Sequence, residues 1–418
     1  MTVRRSAAAL AAVSAVFCGA IAGAPAAVAA PSPSPSPALP EGLYGTADPT
    51  YDGVWRQSLA FLAQDAVKTV PSDKAVSWLT GQQCADGGFA SYRADAAKPC
   101  DAKTVLDSNA TAAALQALTA LGEHEQQVGK GVEWLKSVQN EDGGWGYNPG
   151  FPSDANSTAI VIGALAAADA QPATIKSAKG KSPYDALVTF AIPCTDKTSG
   201  GAFAYQPDKS GKLIANGDAT AAAVLGGLGR GMIVEGPKPG AAPKCVSTDP
   251  ATPEQSARNG AAYLATALAK TGHLDSAPMP GAADPAPQPD FGNTADAVVA
   301  LSAAGHKDKA AASITWLEKN SAAWAAAGGP AAYAQLVLAA QAYGADPRKF
   351  GGTDLVKLLN ATGPAPAATS APAPAADAEN EKEAVGGDNA GIWWIVGAGL
   401  AAGVGAGFLI SGRRKNRQ

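Results

Sequence analysis

Five carboxylates recur at one kind of place in this chain. Asp107, Asp154, Asp218, Asp290 and Asp296 each fall at or just inside the start of an Ala-rich, apolar stretch. Amides accompany them: Asn109 and Asn156 stand two residues after the first two, and Asn216 stands two before Asp218. Tyr92, Tyr147 and Tyr205 lie in the segments leading up to these stretches. Three kinds of chemistry fit such residues. Facing carboxylates, or a Tyr/His/Arg set, can cleave a glycosidic bond. Tyr rings and amides can hold a flat ligand by stacking and hydrogen bonds. The plainest role is helix capping, which is what Asp and Asn do before an apolar helix. Capping is the first reading for each carboxylate, because no assigned base or nucleophile stands beside them to complete a catalytic set.

The elements that position these residues come from a repeat. The strings "WLTGQQCADGGF" (Trp78–Phe89) and "WLKSVQNEDGGW" (Trp134–Trp145) have the same internal spacing. Their shared core is Gln83, Asp86, Gly87, Gly88 and Phe89 in one copy, and Gln139, Asp142, Gly143, Gly144 and Trp145 in the other. Looser copies run over Phe190–Tyr205, Tyr263–Leu274 and Trp316–Gly329. After each comes an Asp/Asn-led apolar stretch, of which "DSNATAAALQALTALG" and "DANSTAIVIGALAAAD" are the clearest. A recurring unit of helix, glycine loop and helix is the mark of an array. Asp-Gly-Gly is expected to end the first helix, with glycine in the left-handed C-cap. About twelve helices are expected, Ala-rich ones alternating with polar ones that carry Trp, Lys and Glu. Helices apolar on every side must be buried, so the Ala-rich set lines the inside of a closed double ring.

The Q-x-x-D-G-G-[FW] copies, each followed by D-x-N-x-T, resemble the repeats of the alpha/alpha-toroid superfamily. It contains squalene and terpenoid cyclases, protein prenyltransferase beta subunits, complement-like thioester domains and cobalamin carriers of the intrinsic-factor type. The resemblance spans roughly Tyr51 to Asn360. It implies an all-α (α/α)6 toroid, with a ligand site at one mouth near the N-termini of the inner helices. Fold does not carry function with it, and the catalytic signatures of the enzymes are missing. The chain has no D-x-D-D acid, no D-D-x-x-D magnesium site and no G-C-G-E-Q thioester string, and a zinc triad would need a free cysteine. The resemblance leaves the carriers as the nearest functional match and implies a binding protein, with a bound corrinoid as one possible ligand. Asp107, Asn109, Tyr147, Asp154, Asn156, Tyr92, Tyr205, Asn216 and Asp218 are the expected lining of its site. A toroid lyase or hydrolase acting on polysaccharide, and a structural or adhesion scaffold, are the competing readings.

The two ends read as targeting segments. Residues 1–30 combine Arg4 and Arg5, an apolar run and an A-x-A site, as a secretory signal does. Residues 31–40 and 362–389 are Pro-rich linkers, the second an Ala-rich stalk, and the toroid occupies 41–361. Residues 390–411 are apolar, begin with Trp393 and Trp394, and are followed by a basic tail at 412–418. That pattern predicts one membrane span with the C-terminus in the cytoplasm and the toroid outside. Cys84, Cys100, Cys194 and Cys245 then lie in an oxidising space and allow three pairings; the sequence-nearest one, Cys84–Cys100 with Cys194–Cys245, is preferred. The three histidines are scattered and read as surface residues, so no metal site is expected. A net charge of -4 without a basic stripe excludes nucleic acid as a natural partner.

Overall fold

The computed structural model describes residues 39–235, 241–276 and 286–367. Among them are twelve α-helices: α1 Gly53–Ala66, α2 Asp73–Gly81, α3 Ser108–Leu121, α4 Glu125–Ser137, α5 Ala155–Ala167, α6 Pro183–Leu187, α7 Gly217–Gly227, α8 Pro253–Leu268, α9 Phe291–Ala303, α10 Ala311–Asn320, α11 Ala322–Tyr343 and α12 Leu355–Asn360. One short hairpin, β1 (Leu274–Ser276) against antiparallel β2 (Gln288–Asp290), precedes α9.

The odd-numbered helices touch in order, α1 to α3, α5, α7, α9 and α11, and α11 packs back on α1. Each even-numbered helix lies against the odd one before it. Composition explains which set goes inside. In α5, Ala155, Ala159, Val161, Ile162, Ala164 and Leu165 are all buried, so the helix has no solvent face. In α4 only Gly131, Val132, Trp134 and Leu135 are buried, and Lys and Glu cover the rest. Small side chains let six inner helices approach closely, as Gly226 does against Ala159 of α5, where a Cβ would come within 2.8 Å. The helix α11 is broken at Gly329 (φ 62°), and its inner part starts at Pro330, where a missing N–H costs nothing. The ring is sealed where its ends meet. The Gly45 N–H donates to the Thr362 carbonyl at 2.8 Å, and Gln64 Nε2 donates to both the Tyr44 hydroxyl and Asn360 Oδ1. Thr362–Ala367, at the start of the expected stalk, lie on the domain, with the Ala367 N–H bonded to the Val70 carbonyl.

The glycine motif is a turn beyond the helix, not its cap. Helices α2 and α4 end at Gly81 and Ser137, before Asp-Gly-Gly begins. The Asp86 and Asp142 carboxylates accept from the Gly88 and Gly144 N–H groups at 3.1 and 2.9 Å. The Gln83 and Gln139 amides donate back to the Gly87 and Gly143 carbonyls. Gly87 and Gly143 hold φ of 102° and 95°, and a Cβ there would stand 2.2 Å from the Lys130 carbonyl oxygen and 2.3 Å from that of Ser182. The turn thus lets one repeat's backbone touch the next outer helix. It also throws its aromatic ring inward: Phe89 and Trp145 are fully buried, and Trp145 packs among Leu115, Leu135, Val161 and Leu165.

The backbone behind that ring is clamped in the same way four times. The N–H groups of Phe89, Trp145, Phe203 and Leu274 donate to the hydroxyls of Thr111, Thr158, Thr220 and Thr294, at 2.9 to 3.1 Å. Each Thr lies four residues after the N-cap of α3, α5, α7 or α9. So the loosened copies at Phe190–Tyr205 and Tyr263–Leu274 keep the clamp even where the letters have changed.

Cys84–Cys100 and Cys194–Cys245 are bonded, the sequence-nearest pairing. Among the described residues no helix is long and apolar enough to cross a membrane; the expected leader at 1–30 and span at 390–411 lie outside those residues. Of the histidines, His306 is buried, so the surface reading fails for it, while His273 is half-buried and leans tilted against Trp316, with ring centroids 4.5 Å apart. Two substitutions test the packing. Trp145→Ala should cost roughly 3–5 kcal/mol in chemical denaturation. Thr158→Val should cost roughly 1–3 kcal/mol, because it strands the buried Trp145 N–H without changing the side chain's shape.

Candidate functional site

All the caps of α3, α5, α7 and α9 end at the same mouth of the ring. Asp107, Asp154, Asn216 and Asp290 accept from backbone N–H groups in the first turn, at 2.7 to 3.0 Å. A helix N-terminus welcomes such oxygens because its first N–H groups lack partners. The residue two places after the cap is left free for another task. Asn109, Asn156 and Asp218 hold that place, and all three line a cavity of about 420 Å³ on the ring axis.

The cavity has a polar mouth and an apolar floor. Tyr51, Asp52, Ser91, Asp107 and Tyr147 surround the opening, and Trp55 of α1 forms part of the wall. Leu59, Ile160, Leu225, Val299 and Leu338 line the deeper part. Met232 also lines it, its N–H held by Gln116 Oε1 at 2.9 Å. One turn inward, the helices carry Ile160 on α5 and Ala222 on α7, but α9 carries Asp296. The Asp296 carboxylate accepts from Gln335 Nε2 of α11 at 3.1 Å. Asp218 accepts from Asn156 Nδ2. Among the described residues, no Lys or Arg lines the cavity. The nearby Arg56 pairs with Asp52 at 3.5 Å and donates to the Ala47 carbonyl.

Burial without a cation sets the protonation states. It pushes Asp296 up to about 7, aided by the negative charges of Asp218 and Asp290, and the Gln335 bond offsets only part of this. Asp218 is raised for the same reason, burial first, with Asp290 and Asp154 adding repulsion. Burial raises Asp52 against the pull of Arg56. The Tyr147 hydroxyl is raised by burial and then by Asp107, and Tyr205 goes to about 12 through burial and Asp154. A half-protonated carboxylic acid beside a second carboxylate can exchange a proton near neutral pH. Each is tied to an amide, and among the described residues no cluster could hold a metal ion.

The expected site residues divide. Asp107, Asn109, Asn156, Asp218 and Tyr147 converge on the cavity. The other four face elsewhere. Asp154 is itself the buried cap of α5, and Asn216 caps α7 at the surface. Tyr92 stacks on Trp78 with ring centroids 6.4 Å apart, outside the lining. Tyr205 is 43% exposed beside Asp154. Sequence reading missed Trp55 and Gln335, and it took Asp296 for a capping residue. Their signal was present: Asp296 is the one charged residue of α9, and Gln335 stands among the apolar residues of α11.

Two concentric layers of helices around a central pocket, with the pocket at the helix N-termini, define an α/α toroid. The family model described as "Prenyltransferase alpha-alpha toroid domain" matches residues 44–209. That match supports an alpha/alpha-toroid domain over this part of the chain. No curated protein matches it. A solved structure, "Crystal structure of a protein from Actinoplanes", is similar over 73% of this chain and 94% of its own, with 15% identity and a TM-score of 0.45.

The site's electrostatics give a pH signature. A carboxyl whose folded pKa is raised favours the folded state while protonated and loses that contribution as pH climbs toward the raised value. Asp296 therefore weakens the fold progressively between about 4 and about 7. Asp296→Asn, which keeps the shape, should melt near the parent at pH 4. It should gain on the parent by roughly 1.4 kcal/mol per pH unit through that window. Thermal denaturation of both proteins across pH 4–8 checks this.

Proposed function

We propose that this toroid is a non-catalytic receptor that holds a small molecule in the cavity on the ring axis. The observation that carries the reading is the split inside each D-x-N-x-T string. The first residue caps, the fifth clamps, and the third faces the cavity free of either duty, with the Asp107 cap reaching the rim. A volume of about 420 Å³ with an apolar floor and a few convergent polar groups fits a small ligand, since such pockets run from roughly 300 to 1,000 Å³. Among the described residues, none that could complete an acyl-transfer or metal-assisted reaction accompanies them in the lining. A corrinoid, the ligand suggested by the carriers, would have to lie across the mouth, where Tyr147 stands 40% exposed.

The setting proposed for this receptor is the outer face of the cell membrane. The signal-like residues 1–30, the Pro/Ala stalk, the apolar segment 390–411 and its basic tail support that placement, as do two disulfides, which persist in oxidising compartments. Held this way, the ring would capture its ligand close to the surface or present it to a membrane partner.

Native mass spectrometry of the full chain, followed by a corrinoid, glycan and small-molecule screen, tests the reading. The expected result is a one-to-one complex that Ala222→Trp abolishes while the melting temperature stays within a few degrees. Absence of any bound molecule and any hit, or binding unchanged in the filled variant, would overturn it and leave a scaffold.

A further inference from the structure

We infer that the ligand of the axial cavity is an organic cation, an ammonium head on an apolar body. The inference rests on the receptor reading above and names the chemistry its site selects. It follows from what the wall offers and what it withholds. The lining carries the carboxylates of Asp52, Asp107, Asp218 and Asp296 and, among the described residues, no cationic side chain. Two of these, Asp218 and Asp296, stand on adjacent inner helices α7 and α9, close enough to repel one another.

Structural need does not account for Asp296. The helix N-termini at the mouth favour anions, but that effect fades within the first turn. The caps Asp107, Asp154 and Asp290 occupy that turn. Asp296 lies six residues past its cap, at the level where α5 has Ile160 and α7 has Ala222. An apolar residue would pack there at lower cost, since a buried carboxylate without a cation must lose its charge or its solvation. The facing groups from the other elements do not supply the missing charge. From α11 comes the Gln335 amide, and from α5 the Asn156 amide, which is spent on Asp218. From α3 come Asp107 and Asn109, and from α1 Asp52, whose partner Arg56 lies outside the lining. A ligand carrying one positive charge with N–H donors satisfies Asp218 and Asp296 together. Its apolar body then meets Leu59, Leu225, Val299 and Leu338, and Trp55 offers a ring face of the kind cations prefer.

The test uses three probes of one shape and different charge: hexylammonium, 1-hexanol and hexanoate, titrated calorimetrically into the full chain. Hexylammonium should bind at least tenfold more tightly than 1-hexanol, and hexanoate more weakly than either. The advantage of the cation should grow from pH 5 to pH 8 as Asp296 ionises, while 1-hexanol binding stays level. Asp296→Asn should remove most of the preference and keep 1-hexanol binding; Asp218→Asn provides the same readout should the first variant be poorly folded. Equal affinities, or a preference for hexanoate, would overturn the cation inference and leave the receptor reading standing. If none of the three binds and Ala222→Trp changes nothing in the wider screen, the receptor reading fails and the cation inference with it.

Discussion

One hydrogen-bonded knot holds the ring together: a threonine hydroxyl at the second turn of an inner helix accepts the N–H of a buried residue in the preceding loop. Thr111, Thr158, Thr220 and Thr294 each do this. The hydroxyl has a proton left to give. In Thr111, Thr220 and Thr294 it bonds the carbonyl of the cap residue one turn back. A buried N–H without a partner would cost a good part of the protein's net stability. The knot therefore fixes where each outer-to-inner crossover enters the ring, and with it the depth of the aromatic wedge.

From that constraint the site follows. Since every crossover enters alike, every inner helix from α3 to α9 begins at the same mouth. The cap residue is committed to backbone and the clamp residue to the loop, so the residue between them is free to vary without loosening the frame. Asn109 and Asn156 became Asp218 in the third copy and Gly292 in the fourth. The apolar floor belongs to the frame, whereas Asp296 and Gln335 are departures from it. Helix packing is tolerant of a polar residue only where a cavity or a partner receives it, and here the axial cavity does so.

Much of this was legible in the residues. The alternation of Ala-rich and polar helices predicted which set would be inside, because α5 has no polar face to show to water. The nearest cysteines did pair. The glycine turn was misread as a helix cap because Gly87 and Gly143 adopt the positive φ of a cap while serving a loop that begins after the helix has ended. The candidate site was half legible. Asn109, Asn156 and Asp218 follow from the repeat, whereas Tyr92 faces Trp78 and Asp154 faces its own helix. Periodicity says that a residue sits near a helix start but not which way its ring turns. Trp55, in a helix outside the strict repeat, could be found only once α1 was seen to close the ring against α11.

The central claim is that a closed ring built for stability leaves an acidic, apolar-floored cavity as its working surface. A crystal structure of the chain soaked with 6-bromohexylammonium tests it most directly. The account predicts one anomalous bromine peak against Leu225 and Val299, with the ammonium between Asp218 and Asp296. A bromine peak only outside the axial cavity, or an empty axis at saturating probe, would contradict it.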